Sequence, residues 1–277
     1  MPATYAHKRF GEKVLESLPK ELSEAFSAHL SEYYLGLHGP DLLFYYRPLT
    51  KNPVNRTGYR MHGQPAADFF GRTRELILAE AERAGVPETQ TAEGAYAAGF
   101  LCHFVLDSEC HGYIGRRIEQ TGIRHAVIET EFDRSLLLAD GERIFGVNRA
   151  EHLKGKTDAA KTAARVLGVG EKEAQKSLSF FVRANGWFTS VNPFFRAAAF
   201  FLLAVSKNGE IRGMFYDKTP RADCAESDAV LTEKFAAAVP TAASLVSGYF
   251  ENMSARPPLG ERFLLDYEGD VHDKNNA

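Results

Sequence analysis

The amino-acid sequence predicts an all-α fold. Apolar residues recur at helical spacing along almost all of its 277 residues, and Gly and Pro punctuate the runs between them. Only the stretch IRGMFYD, from Ile211 to Asp217, alternates as a short strand would. Hydrophobic residues make up 44% and charged residues 25%, which supplies a core and excludes intrinsic disorder.

Each helix has its own signal. Phe10, Val14 and Leu18 share one face, and after Pro19 the pattern continues through Leu22, Phe26, Leu30, Tyr33 and Leu37 until Gly39 and Pro40 stop it. A helix from about Pro65 to Arg83 ends at Gly85 and Pro87. Thr91 caps a helix that runs to about His111, and another covers about His125 to Leu138. The stretch Ala139–Gly155, rich in Gly and charge, reads as a loop between two halves. Beyond it, helices are expected over Asp158–Leu167, Glu171–Asn185, Pro193–Ser206 and Ala229–Asn252, with Pro240 kinking or splitting the last. The tail after Asp266 is expected to fray. Residues 1–148 thus form one helical region, and 149–277 a second helical layer packed on it within the same domain.

Charge and cysteine content narrow the function. The formal charge is −3, so no basic excess draws the chain onto nucleic acid. Three cysteines (Cys102, Cys110, Cys224) are too scattered for a disulfide framework. The opening MPATYAHKRFGEKVLES has no secretory apolar run, and a cytoplasmic location is expected. The apolar run FFRAAAFFLLAV, Phe194 to Val205, is too short to cross a bilayer. It reads as a buried helix, with an interfacial surface helix as the alternative.

The chemistry concentrates in HFVLDSECH, from His103 to His111. On a helix, Asp107 lies about 40° round from His103 and His111 about 80°, so one face presents imidazole, carboxylate and imidazole. Fourteen residues later His125, Glu129 and Asp133 repeat the spacing in HAVIETEFD. Two such faces converging inside a bundle make a helical metal site, because a dry interior tolerates these groups only when paired or metal-bound. Imidazole with carboxylate suits zinc, manganese or iron.

These motifs, together with TYAH ending at His7, GLHGPD ending at Asp41 and MHG at His62, resemble the zinc-dependent phospholipase C family, which is related to the S1/P1-type nucleases. The resemblance runs from about Tyr5 to Arg134. It implies an all-helical fold with up to three metals in a cleft between helices. It implies one zinc held by His62, His103 and Asp107, and a second by His111, His125 and Glu129. A third metal would bridge to Asp107 and take His7 and the N-terminal amine, and Asp41 would orient or deprotonate the attacking water. The chain departs from the secreted enzymes in starting Met1-Pro2 where they begin with a processed Trp, its only tryptophan being Trp187. Its His111 also follows Asp107 more closely than in those enzymes.

Other residues take blander readings. Asp133 reads as an outer partner that holds a ligand histidine through its other nitrogen. Cys110 reads as a buried inert thiol, and His29, His38, His152 and His272 as surface residues. The implied activity is phosphodiester hydrolysis of a phospholipid or related small ester by a metal-activated water, with transient contact at a membrane surface. The alternatives are a nuclease or nucleotide phosphodiesterase with the same site, and a non-catalytic metal-stabilised or lipid-binding relative.

Overall fold

The structure is a computed structural model that describes residues 4–206 and 208–272. Its helices are α1 (Thr4–Ser17), α2 (Lys20–Ser27), α3 (Leu30–Gly36), α4 (Pro53–His62), α5 (Ala66–Ala84) and α6 (Ala92–Thr121), then α7 (His125–Ala139), α8 (Thr157–Leu167), α9 (Glu171–Phe188), α10 (Pro193–Val205), α11 (Gly209–Gly213) and α12 (Ala225–Phe250). Among the described residues there is no β-strand, only an isolated bridge between Leu265 and Val271. The all-α expectation holds.

The long helix α6 organises the bundle. Thr91 caps it by accepting the Gly94 amide at 2.9 Å, and Gly122 ends it in the left-handed conformation at φ 68°. Most of its first two-thirds is buried on every side, as expected of a helix with neighbours all round. Helices α1, α2, α3, α5, α7, α8 and α12 all pack against it. Where α3 crosses, the two backbones meet at glycine: a Cβ on Gly99 would lie 2.0 Å from the Tyr33 carbonyl oxygen, and one on Gly36 would lie 2.1 Å from that of Tyr96. Phe70, Phe100, Phe104, Phe263 and Tyr249 fill the space between α5, α6 and α12.

The structure corrects several expectations. Residues 53–62 form helix α4, where the sequence reading placed no helix, and His62 is its last residue. Asn52 caps α4 reciprocally with Asn55, and Pro53 starts it. The alternating segment Ile211–Asp217 forms no strand. Asn208 instead caps α11 by accepting the Ile211 amide, and no described strand lies beside it to pair. Helix α12 runs unbroken past Pro240.

Helix α10 is not buried. Arg196 takes its inward face, donating to the Tyr216 carbonyl at 2.7 Å and packing among Phe145, Phe200 and Phe215. That leaves Phe194, Phe201, Leu202 and Val205 turned outward.

Nor does the tail fray at Asp266. One oxygen of Asp266 accepts the Glu268 and Asp270 amides and the other pairs with His272, folding 266–272 into a turn against the bundle.

Candidate metal centre

Helix α6 presents His103, Asp107 and His111 along one face, and Asp107 is the hub. Its carboxylate lies 3.1 Å from His103 Nε2, 3.3 Å from His7 Nε2 and 3.5 Å from His111 Nε2. Helix α7 faces it with His125 and Glu129. Glu129 Oε1 lies 3.1 Å from His125 Nε2 and 3.5 Å from His111 Nε2. On the opposite side the 3₁₀ turn Gly39–Tyr45 carries Asp41, whose Oδ1 is 3.0 Å from Nε2 of His62 at the end of α4. Helix α1 supplies His7, its ring stacked on that of His103 at 4.5 Å.

Three sets of donors result, each close enough to share one ion: His7, His103 and Asp107; Asp41, His62 and His103; and His111, His125 and Glu129. The third set is the one the resemblance implied for the second zinc. For the first zinc, His103 is shared: it meets Asp107 and His7 on one side, and His62 and Asp41 on the other. The N-terminal amine implied for a third metal lies outside the described residues.

A metal test falls to the nitrogen atoms. Nε2 of His62, His103, His111 and His125 is buried and makes no hydrogen bond, although a carboxylate oxygen lies within 3.5 Å of each. A buried polar atom left without a hydrogen bond is costly, and one cation shared by Asp41, His62 and His103 with a second shared by His111, His125 and Glu129 would satisfy all four. The other ring nitrogens are held for that task. His62 Nδ1 pairs with the Gly58 carbonyl at 2.8 Å, and His103 Nδ1 with the Leu37 carbonyl at 3.2 Å. Each carbonyl takes an Nδ1 proton and leaves Nε2 free to ligate. A cavity of about 20 Å³ between His7, Asp107, His111 and Glu129 has room for one small ion or water. The donors fit zinc.

The charged groups of the site act strongly on one another. Burial would raise the Asp107 carboxyl, yet His103 and His111 hold it well below the usual carboxylate range. Glu129 is likewise held well below, against burial, by His125 and His111 among its neighbours. Burial would lower His111, but Asp107, Glu129 and Glu268 raise it well above an ordinary imidazole. His62 is raised in the same way by Asp41. Zinc entering here therefore displaces protons. The Cys110 thiol is pushed up by burial and remains an inert neighbour rather than a ligand.

Two residues the sequence reading missed lie against the centre. Tyr267 packs its ring on His62 and His103, and Glu268 brings Oε1 to 3.6 Å from His111 Nδ1. Both sit in the segment expected to fray, and no local periodicity marks them. His38, read as a surface residue, is buried against Phe181, 6.5 Å from the His7 ring. Asp133 touches no ligand imidazole through a hydrogen bond. It accepts the Tyr5 amide at 3.0 Å, the Ala6 amide at 2.8 Å and the Tyr216 hydroxyl at 3.0 Å, so it fixes the first turn of α1, where His7 follows. Burial pushes its carboxyl up to about 7.

Gly39 makes the close fit of His103 possible. It sits at φ +38°, and a Cβ there would lie 2.4 Å from Cδ2 of the His103 ring. Gly39→Ala is expected to push the ring off Leu37 and to weaken zinc binding by about 10–100-fold, the cost of disturbing a ligand's supporting contacts. A competition titration against a coloured chelator measures it, and wild-type affinity in the variant would refute the role given to Gly39.

Residues 6–178 match the family model described as zinc dependent phospholipase C, a segment that contains all the donors named above except Glu268. Neither a curated protein nor a solved structure matches the chain.

Proposed function

The chain belongs to the zinc dependent phospholipase C family, and from that premise we propose that it hydrolyses a phosphodiester, a phospholipid or a related small ester, with a metal-activated water. The observation that carries the reading is the row of four unsatisfied buried Nε2 atoms facing Asp41, Asp107 and Glu129. Zinc held by these donors supplies Lewis acidity to a phosphoryl oxygen and brings the pKa of a bound water toward neutrality. Asp107 and Glu129 keep enough negative charge in the centre to retain cations there. Asp41 is ionised, with its carboxyl held well below the usual range despite burial, by the neighbouring His62 and His103 among others. So acidic a group is a weak base, and its task is to accept a hydrogen bond from the attacking water and set its direction. The buried thiols of Cys102 and Cys110 are both pushed up by burial, and neither is activated. A single in-line displacement, without a covalent enzyme intermediate, follows.

Zinc-loaded protein is to be assayed on a phosphocholine ester beside single-stranded DNA. The ester is expected to turn over faster, and faster cleavage of DNA overturns the phospholipid reading. Asp41→Asn is expected to lose about 10²–10⁴-fold in turnover, more than any loss in its measured zinc content accounts for. Full activity in that variant sinks the role of Asp41, and zinc binding without any turnover by the wild type sinks the hydrolase reading.

A further inference from the structure

Helix α10 is built inside-out for water. Its outer face consists of Phe194, Ala197, Ala198, Phe201, Leu202 and Val205, with no charged or hydroxyl group among them. Phe194 is 86% exposed, and Phe201, Leu202 and Val205 are 65–69% exposed. The one charge of the helix, Arg196, points inward onto the Ser190 and Tyr216 carbonyls. A contiguous apolar face of this kind marks a contact surface.

Three further observations say what contacts it. Along the sequence from 174 to 222, apart from the inward Arg196, six Lys or Arg stand against two acidic residues, with Arg212 paired to Asp217 and Arg221 to Asp223, in a chain whose formal charge is −3. An apolar helix set among basic residues matches an anionic lipid interface better than a protein partner. The helix is also tied to the rim of the metal centre. Glu210 at the start of α11 accepts the amide of Ala126, the residue after His125, and Gly213 packs on Val127. His125 is the most exposed histidine of the centre at 30%, so the centre opens toward this side. Finally, aromatic rings run from the turn that carries Asp41 out to α10. Tyr45 lies 6.3 Å from Phe180, Phe180 lies 5.6 Å from Trp187, and Trp187 lies 6.2 Å from Phe195. Trp187, half in and half out of water, holds the position an indole takes at a membrane boundary.

We propose that α10 is an interfacial helix that seats the mouth of the metal centre on an anionic phospholipid surface. This rests on the reading of the protein as a phospholipid hydrolase. It concerns residues beyond the segment 6–178 that defines the family.

The test is co-sedimentation of the full chain with vesicles of phosphatidylcholine alone and of phosphatidylcholine mixed with phosphatidylglycerol. The wild type is expected to bind the mixed vesicles, more weakly as salt rises. Phe201→Glu/Leu202→Glu is expected to lose about tenfold or more in that binding, while hydrolysis of a short-chain ester below its micelle concentration is unchanged. Both substituted side chains face outward, and an unaltered circular dichroism spectrum shows that the fold survives. In Trp187→Phe/Phe201→Trp, the emission of the new indole is expected to shift to the blue on the same vesicles. No binding by the wild type, or equal binding by the double variant, overturns the proposal. So does a wild-type dimer that the double variant breaks without any vesicle binding, since a second copy then covers the face. Vesicle binding without hydrolysis of any ester leaves the docking helix standing and removes the hydrolase reading instead.

Discussion

Asp107→Ala is expected to lower the zinc content of the centre and to lower phosphodiester turnover by on the order of 10³ or more. The carboxylate stands within 3.5 Å of His7, His103 and His111, so it joins the donors on α1 to both ends of the α6 face. Without it, His7 keeps only the His103 imidazole beside it, the set that joins α1 to α6 is lost, and His111 loses one of its carboxylate neighbours while keeping Glu129, His125 and Glu268. Several kcal/mol of transition-state stabilisation depend on the metal, and each ~1.4 kcal/mol is a factor of ten in rate. Wild-type protein is expected to melt at a higher temperature when zinc is added, because zinc binds only the folded arrangement. The variant's melting temperature is expected to rise less. Asp107→Asn separates charge from shape: it keeps one oxygen at the same place but removes the anion. Elemental analysis, turnover and thermal melting with and without zinc decide it. Wild-type zinc content in Asp107→Asn would show that charge at Asp107 is not what retains the metal.

How much of this could be read from the sequence follows from distance along the chain. His103, Asp107 and His111 are four residues apart on one helix, as are His125 and Glu129 on the next, and helical period alone places them on common faces. The convergence of His7, Asp41 and His62 on those faces is tertiary, and only the resemblance to a family pointed to it. Glu268 lies 157 residues from His111, in a tail whose turn is held by the Asp266 carboxylate, and polarity alone made that tail look loose. Helix α4 carried a readable start in Asn52-Pro53, which the small apolar content of the segment obscured. Helix α10 failed in the opposite direction. Its composition is that of a core helix, but only the side with Phe195, Arg196, Ala199, Phe200 and Leu203 packs on the bundle. Periodicity tells which residues share a face; it does not tell which face has a neighbour.

Gly99→Ala is expected to destabilise the fold by about 1–3 kcal/mol or more, and to damage the metal centre beyond what that loss explains. The added Cβ would meet the Tyr33 carbonyl oxygen at 2.0 Å and the Leu37 amide nitrogen at 3.1 Å, both backbone atoms that no rotamer change can move. Helices α3 and α6 would have to part by on the order of 1 Å. Gly99 lies one turn before His103, and α3 leads directly into Leu37, Gly39 and Asp41. The Leu37 carbonyl holds His103 Nδ1, and Gly39 lies against the same ring. Parting the helices therefore draws the Asp41 turn away from His103 and splits the set of donors that the two share with His62. A variant that loses stability elsewhere in the core supplies the control. Val246→Ala opens a cavity at a buried position of α12, and it is expected to lower the melting temperature while zinc content and KM stay at the wild-type level. Gly99→Ala is expected to lower all of them, and Gly99→Val more so. If Gly99→Ala melts and binds zinc as the wild type does, the glycine crossing does not set the geometry of the centre.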